Sequence, residues 1–373
     1  MDKEELYRAW DELGPEMNPG ERMMKYFSGE EVDCIPYGLL AAEDALCGVF
    51  GYTKKQVADD YELRCEVCRR GAEITGSLAV GLGMGLRGIG EAAGSQLAYP
   101  ENAVDFVAHH TCQDYDEFFS RPAFDVYTNP VLAPKLEEVK RLVEDFPGVP
   151  FSTGVAGPIS TAAAIRPVEK ILRDTRRNPE QLHRLLDFSV DASLQWIEAV
   201  FEITGGKMSA AIADPVTTTD IISHKQFLEF NKPYLKRLFD EMTRIVGKAP
   251  TVHICGHTKG IWEDLMDIGV TSFSLDNCES LAEARQVMGD KVLISGNVPP
   301  VDVMLLGSID DVIASVRECI IAGAGNPRGF LLMTGCQVPM GTPKENMIAF
   351  RYAARKYGAK AKLGQIPEAV YQD

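Results

Sequence analysis

Short apolar runs alternate with helical patterns along almost the whole chain, and this alternation restricts the fold more than any other feature. CIPYGLL (34–40), SLAVGLGMGL (77–86), PFSTGVAGPI (150–159), MSAAIADP (208–215), PTVHICG (250–256), TSFSLDN (271–277), KVLISGNVP (291–299) and GFLLMTGC (329–336) have the length and apolar content of buried strands. Between most of them, apolar residues recur at three- and four-residue spacings. The patterns 179–205, 225–247, 261–269, 280–289 and 308–325 read as helices with glycine near the C-terminal end. TPKENMIAFRYAARKYG (342–358) reads as the last helix, started by Thr342-Pro343 and closed by Gly358. Continuously apolar strands suit a parallel sheet covered on both sides, and eight of them alternating with helices are what a (β/α)8 barrel requires. An open doubly wound sheet is the alternative. The expected organisation is one TIM-barrel domain over residues 1–373, with residues 1–30 as an N-terminal helical extension and residues 31–373 as the barrel. A chain of 373 residues is long for one domain, but α/β barrels commonly exceed 200 residues as single units.

Composition excludes several classes. Hydrophobic residues make up 45% and charged residues 25%, and no apolar run approaches the roughly 18 residues of a membrane span. The start, MDKEELYRAWDELG, is acidic and amphipathic, without the order of a signal peptide, so a cytoplasmic protein is expected. Nine cysteines, scattered from Cys34 to Cys336, do not form a disulfide framework in so long a chain; reduced thiols or metal ligands are expected instead. A formal net charge of −16 argues against nucleic acid and anionic membrane surfaces as partners.

In a barrel, function belongs at the C-terminal ends of the strands. His253 and Cys255 stand two apart in TVHICG, so on a strand both side chains point to one side. Cys336 ends the eighth apolar run, and in a barrel the fifth and eighth strands face each other across the mouth. A metal held by all three residues could therefore sit over the axis. Two sulfurs and one nitrogen suit Zn²⁺, and three protein ligands leave a fourth position for water or substrate, as in catalytic zinc sites. The competing reading makes His253 a satisfied core histidine and the cysteines small buried hydrophobes. Both readings are compatible with the spacing.

The segments HICG (253–256), IADPVTTTDIISHKQFLEFNKPYLK (212–236), ISGNVPP (294–300) and MTGCQVPMGTPKENM (333–347) together resemble the uroporphyrinogen decarboxylase superfamily. Within it, the chain resembles the branch of zinc-dependent, corrinoid-linked methyltransferases of methanol, methylamine or methyl sulfide metabolism. The resemblance extends from GERMMKYFSGEEVDCIPYG to the last helix, and implies a TIM barrel with Zn²⁺ on His253, Cys255 and Cys336. It implies methyl transfer between a corrinoid, methylcobamide (cobalamin) on a partner corrinoid protein, and a small substrate, foremost a thiol ionised by the metal. The reverse direction, from a small-molecule methyl donor to the corrinoid, uses the same geometry. The decarboxylases proper hold a many-carboxylate porphyrinogen with an arginine-rich segment near the first strand. Here that region reads EEVDCIPYGLLAAEDALCG, without one arginine, which counts against decarboxylation. A non-catalytic metal- or corrinoid-binding protein is the remaining alternative and would need a fourth protein ligand. A homo-oligomer is admitted but not specified.

Other residues carry two readings each. Asp214 in IADP and Asp276 in SLDN end the fourth and sixth runs; each could orient substrate, hold a histidine N–H or occupy the open zinc position in the resting enzyme, or else cap the following helix. His257, just past Gly256, suits a supporting or helix-start role more than ligation. These three are the candidate catalytic residues. Gly83-x-Gly85-x-x-Gly88 has dinucleotide-loop spacing, but close backbone approach at a strand end explains it without a ligand. Cys65-x-x-Cys68 lies in a helical pattern with no second pair to complete a site, and Tyr234 reads as packing.

Overall fold

The computed structural model describes residues 1–40 and 43–372. Seven parallel-sheet strands occur in the expected places: β1 Val80–Gly81, β2 Phe151–Ala156, β3 Met208–Ala213, β4 Thr251–Ile254, β5 Ser272–Leu275, β6 Leu293–Val298 and β7 Phe330–Thr334. Their hydrogen-bonding order is β4-β3-β2-β1 among the first four and β7-β6-β5 among the last three. The chain packs as two compact units, one comprising residues 79–100 and 104–271, the other residues 1–78, 101–103 and 272–373. Among the described residues, no helix is long and apolar enough to cross a membrane.

In the first unit, β1 pairs with β2, β2 with β3 and β3 with β4, all parallel, with Phe151 opposite Met208 and Ala213 opposite His253. Helix Pro179–Ile203 buries Leu182, Leu185, Leu186, Trp196, Ile197 and Val200, the apolar stripe expected from its spacing. Full burial stabilises each such aliphatic side chain by roughly 1.5–3 kcal/mol. The Trp196 indole N–H also donates to Thr153 Oγ1 on β2 at 2.9 Å, so the buried indole is not stranded. The run 77–86 contributes a two-residue strand, beyond which Leu82 N–H still donates to Ser152 O at 3.2 Å and Met84 N–H to Gly154 O at 2.8 Å; a Cβ on Gly81 would stand 2.3 Å from Ser152 O, and one on Gly83 3.1 Å from Gly154 N. Of the glycines at 83, 85 and 88, Gly83 makes this backbone approach, whereas Gly85 turns at φ 53° with open space around it and Gly88 lies against the Met84 side chain.

The pattern 225–247 forms two helices, His224–Phe230 and Lys232–Val246, separated at Asn231. Apolar period alone did not reveal the break. Pro233 lacks the N–H that a continuous helix would use, and Asn231 turns its amide into a buried polar cluster described below. Gly247, in the left-handed region at φ 72°, ends the second helix as its position suggested.

In the second unit, β5, β6 and β7 pair in parallel, with Ser272 opposite Leu293 and Ile294 opposite Phe330. The first apolar run does not add a full strand. Val32–Cys34 pairs antiparallel with Ala359–Ala361, and beyond it a single parallel bridge joins Tyr37 to Leu332. Leu332 N–H donates to Pro36 O and Gly38 N–H to Leu332 O, both at 3.0 Å. Pro36 has no N–H with which to extend a ladder. Residues 1–30 form helices Lys3–Asp11 and Pro19–Phe27, capped by Asp2 and Asn18. They are fixed by buried charge: Arg22 grips Asp33 through two hydrogen bonds of 2.7 and 2.8 Å, and Arg351 reaches Glu16 at 2.9 Å. Removing one partner of such a pair leaves an uncompensated buried charge, at about 3–5 kcal/mol.

Candidate metal centre

The parallel register places His253 at the C-terminal end of β4 and Cys255 just beyond it. Their side chains converge, with His253 Nε2 3.1 Å from Cys255 Sγ. Cys336 follows β7 by two residues. One ligand atom from each of His253, Cys255 and Cys336 lies within 4.8 Å of the others, and all three residues are partly exposed. A tetrahedral ion with Zn–S near 2.3 Å and Zn–N near 2.0 Å separates its ligand atoms by roughly 3.6–3.8 Å. His253 Nε2 and Cys255 Sγ stand closer than that, so a bound ion would require the two side chains to part slightly. The set of two sulfurs and one imidazole fits zinc chemistry. Among the described residues it is the one group of three or more His, Cys, Asp or Glu able to hold a metal. Cys65 and Cys68 are not part of it; they sit on helix Tyr61–Thr75, Cys65 facing inward.

Asp214 is wholly buried. It does not cap the turn that follows it. Its Oδ1 accepts the Ser160 N–H at 3.1 Å, in the first turn of helix Pro158–Ile165, while Oδ2 accepts from Thr217 Oγ1 at 2.7 Å and Asn231 Nδ2 at 3.0 Å. Burial pushes this carboxyl above the ordinary carboxylate range, and the hydrogen bonds from Ser160, Thr217 and Asn231 pull the other way. Asp276 is partly exposed and accepts the Cys278 N–H at 3.0 Å, forming a local turn; the next helix, Leu281–Met288, is capped by Ser280 instead. His257 is exposed, and its Nδ1 lies 3.0 Å from both carboxylate oxygens of Asp220. This hydrogen bond, foremost, holds the Asp220 carboxyl below its usual range. Tyr234 is more than packing: its hydroxyl lies 2.7 Å from His183 Nδ1.

Thr217, Asn231 and Ser160 were not anticipated. The Thr-Thr-Thr-Asp run after IADP, and an asparagine two residues before a proline within an apparent helix, were the available signals. A cavity of about 400 Å³ lined by Phe118, Phe119, Phe124, Phe188, Arg121 and Asp125 contains none of the expected site residues. Its polar lining is already engaged, with Asn129 Nδ2 donating to Ala92 O at 2.8 Å and Arg121 to Ala93 O at 3.3 Å.

Parallel strands that deliver a histidine and two cysteines from their C-terminal ends define an α/β protein with a candidate metal-ligand set. The chain belongs to the uroporphyrinogen decarboxylase (URO-D) family, whose model matches residues 18–357. It is 26% identical over 347 residues to the methylcobamide:CoM methyltransferase MtaA of Methanosarcina barkeri, a match covering 91% of this chain and 98% of that protein. To the methylated-thiol–coenzyme M methyltransferase of Methanosarcina mazei it is 29% identical over 236 residues, 61% of this chain and 58% of that one. A solved structure, a methyltransferase from Methanosarcina mazei, superposes with a TM-score of 0.77 at 25% identity, covering 92% of this chain and all of that one, 100%. The α/β barrel class expected from the alternating runs therefore holds.

Proposed function

We propose that the protein is a zinc-dependent methyltransferase that moves a methyl group between a corrinoid and a small thiol. The observation that carries this reading is the donor set His253, Cys255 and Cys336, in a chain similar over nearly its whole length to a methylcobamide:CoM methyltransferase. When bound, zinc would lower the pKa of a thiol from about 8.5 so that it is ionised at neutral pH. The chain's own part is to present three donors, leave a fourth position open and orient the sulfur for in-line attack. The new C–S bond forms as the Co–C bond breaks, both electrons of the latter stay on cobalt, and the thiol proton is released. In this reading Asp214 supports the backbone of β4, while Asp276 and His257 are the polar groups at strand ends available to substrate. The corrinoid would be carried by a partner protein.

A second direction, from a small methylated donor to the corrinoid, is favoured by the relation to an enzyme named for a methylated thiol. One experiment addresses both. Metal-replete protein is mixed with methylcobalamin and a panel of thiols, and in parallel with reduced cobalamin and methyl thioethers, while the corrinoid spectrum is followed. Metal-dependent loss of methylcobalamin with one thiol supports the first direction. No transfer in either direction, with about one zinc bound per chain, overturns the catalytic reading.

A further inference from the structure

The loop Asp214–Asp220 grips the segment His253–His257 at both of its ends. At the first, the Asp214 N–H donates to His253 O at 2.9 Å, carrying the β3–β4 ladder one residue past the pairing of Ala213 with His253. At the second, the Thr219 N–H donates to His257 O at 2.9 Å, and the hydroxyls of Thr218 and Thr219 donate to the same carbonyl at 3.1 and 2.9 Å. Asp220 accepts the His257 N–H at 3.3 Å. Gly256 turns between these anchors at φ 80°, where a Cβ would stand 2.6 Å from Thr218 Oγ1. Cys255 is thus suspended between two residues whose backbones are tied to one loop.

That loop is in turn fixed from inside. Thr217 Oγ1 gives its proton to Asp214 Oδ2 and receives one from Asn231 Nδ2, which also reaches Asp214, so the three side chains form a closed triangle. Ser160 completes the hold from the opposite side, accepting the Val216 N–H at 3.0 Å while its own N–H goes to Asp214. A solvent-exposed side chain would suffice to end a strand or cap a turn. Burying a carboxylate is expensive unless it is hydrogen-bonded, and Asn231, at the break between two helices, is one of its donors. The gain from such an arrangement is precision at the one segment the loop holds.

We propose that Thr217 and Asn231 are positioning residues for the metal-ligand pair: through Asp214 they fix the loop 214–220, and the loop fixes the spacing of His253 and Cys255. This rests on the metal reading above. Groups that orient metal ligands from behind typically change affinity by about 10–100-fold when removed.

The test compares Thr217→Val, Asn231→Ala and the conservative Thr217→Ser. Zinc affinity is measured by competition with a chromogenic chelator on protein shown to be folded by circular dichroism. Visible spectra of the cobalt-substituted proteins report ligand geometry, and thermal midpoints are recorded alongside. Thr217→Val and Asn231→Ala are expected to bind zinc about tenfold or more weakly and to shift the cobalt bands. Thr217→Ser should restore both. If Asn231→Ala does not fold, Thr217→Val, which changes little volume, carries the comparison with Thr217→Ser. Variants that melt earlier yet keep wild-type zinc affinity and cobalt spectrum would show a merely structural network and overturn the positioning role, with the metal reading intact. Wild-type protein that binds no zinc would overturn both.

Discussion

Nε2 of His253 lies 3.1 Å from Sγ of Cys255, two residues further along the chain. So short a separation of imidazole and thiol, with Cys336 contributing a further sulfur, leads to an expected content of about one zinc per chain. Cys255→Ser and Cys336→Ser should each lower retained zinc and abolish methyl transfer while the far-ultraviolet circular dichroism stays unchanged, since a protein of this size does not depend on one ion for its core. Cys65→Ala and Cys68→Ser should retain full metal. Elemental analysis of the five proteins checks the assignment, and metal loss confined to the Cys65/Cys68 variants would refute it.

Three protein donors would leave a fourth position in the proposed zinc site, which gives a second expectation. X-ray absorption at the zinc edge should show a mixed sulfur and nitrogen or oxygen shell that gains one sulfur neighbour at about 2.3 Å when the true thiol is added. Binding should release a proton near neutral pH, measurable in weakly buffered solution. A shell that no candidate thiol or methylated donor alters would point to a closed, structural ion.

Gly157 has no room for a side chain: a Cβ there would stand 2.2 Å from Asp214 Cγ. Gly157→Ala must therefore displace either the helix Pro158–Ile165 or the buried carboxylate. A loss of about 1–3 kcal/mol or more in urea unfolding is expected from overpacking, together with weaker zinc binding. Unaltered stability would mean that Asp214 can leave its position without penalty.

Arg166 and Asp174 form a buried pair at 2.7 Å, closed by the Tyr115 hydroxyl at 2.9 Å and by Asn178 Nδ2 at 2.8 Å. Burial alone would raise the Asp174 carboxyl, but the hydrogen bonds from Asn178, Arg166 and Tyr115 outweigh it and lower it below its ordinary value. A depressed carboxyl contributes stability that is fully present above its unfolded pKa, near 3.9, and is lost as pH falls through the folded value. Asp174→Asn should accordingly lower stability by about 3–5 kcal/mol at pH 7, with the gap to wild type shrinking below about pH 4. Thermal melts across that range provide the comparison, and a gap independent of pH would count against the ionised pair.

The alternation of apolar runs and helical periods was sufficient for the α/β class and for the position of β2 to β7, because burial on both faces demands continuous apolar strands whatever their neighbours. The HxC spacing likewise put an imidazole and a thiol on one side of a strand, since a strand's side chains repeat every two residues. Two kinds of departure occur: a long-range contact overrules a local pattern, or a residue within the run limits it. Apolar period carried straight through 225–247, but the helix breaks at Asn231 to meet an aspartate seventeen positions earlier in the chain. CIPYGLL had a strand's composition, yet Pro36 limits it to one bridge with Leu332. Asp214 could have capped the turn beside it or oriented a ligand; only tertiary structure joined it to Ser160, Thr217 and Asn231 and removed it from solvent. Periodicity records which faces are buried, and hydrogen bonds between distant segments depend on what the folded chain brings opposite each face.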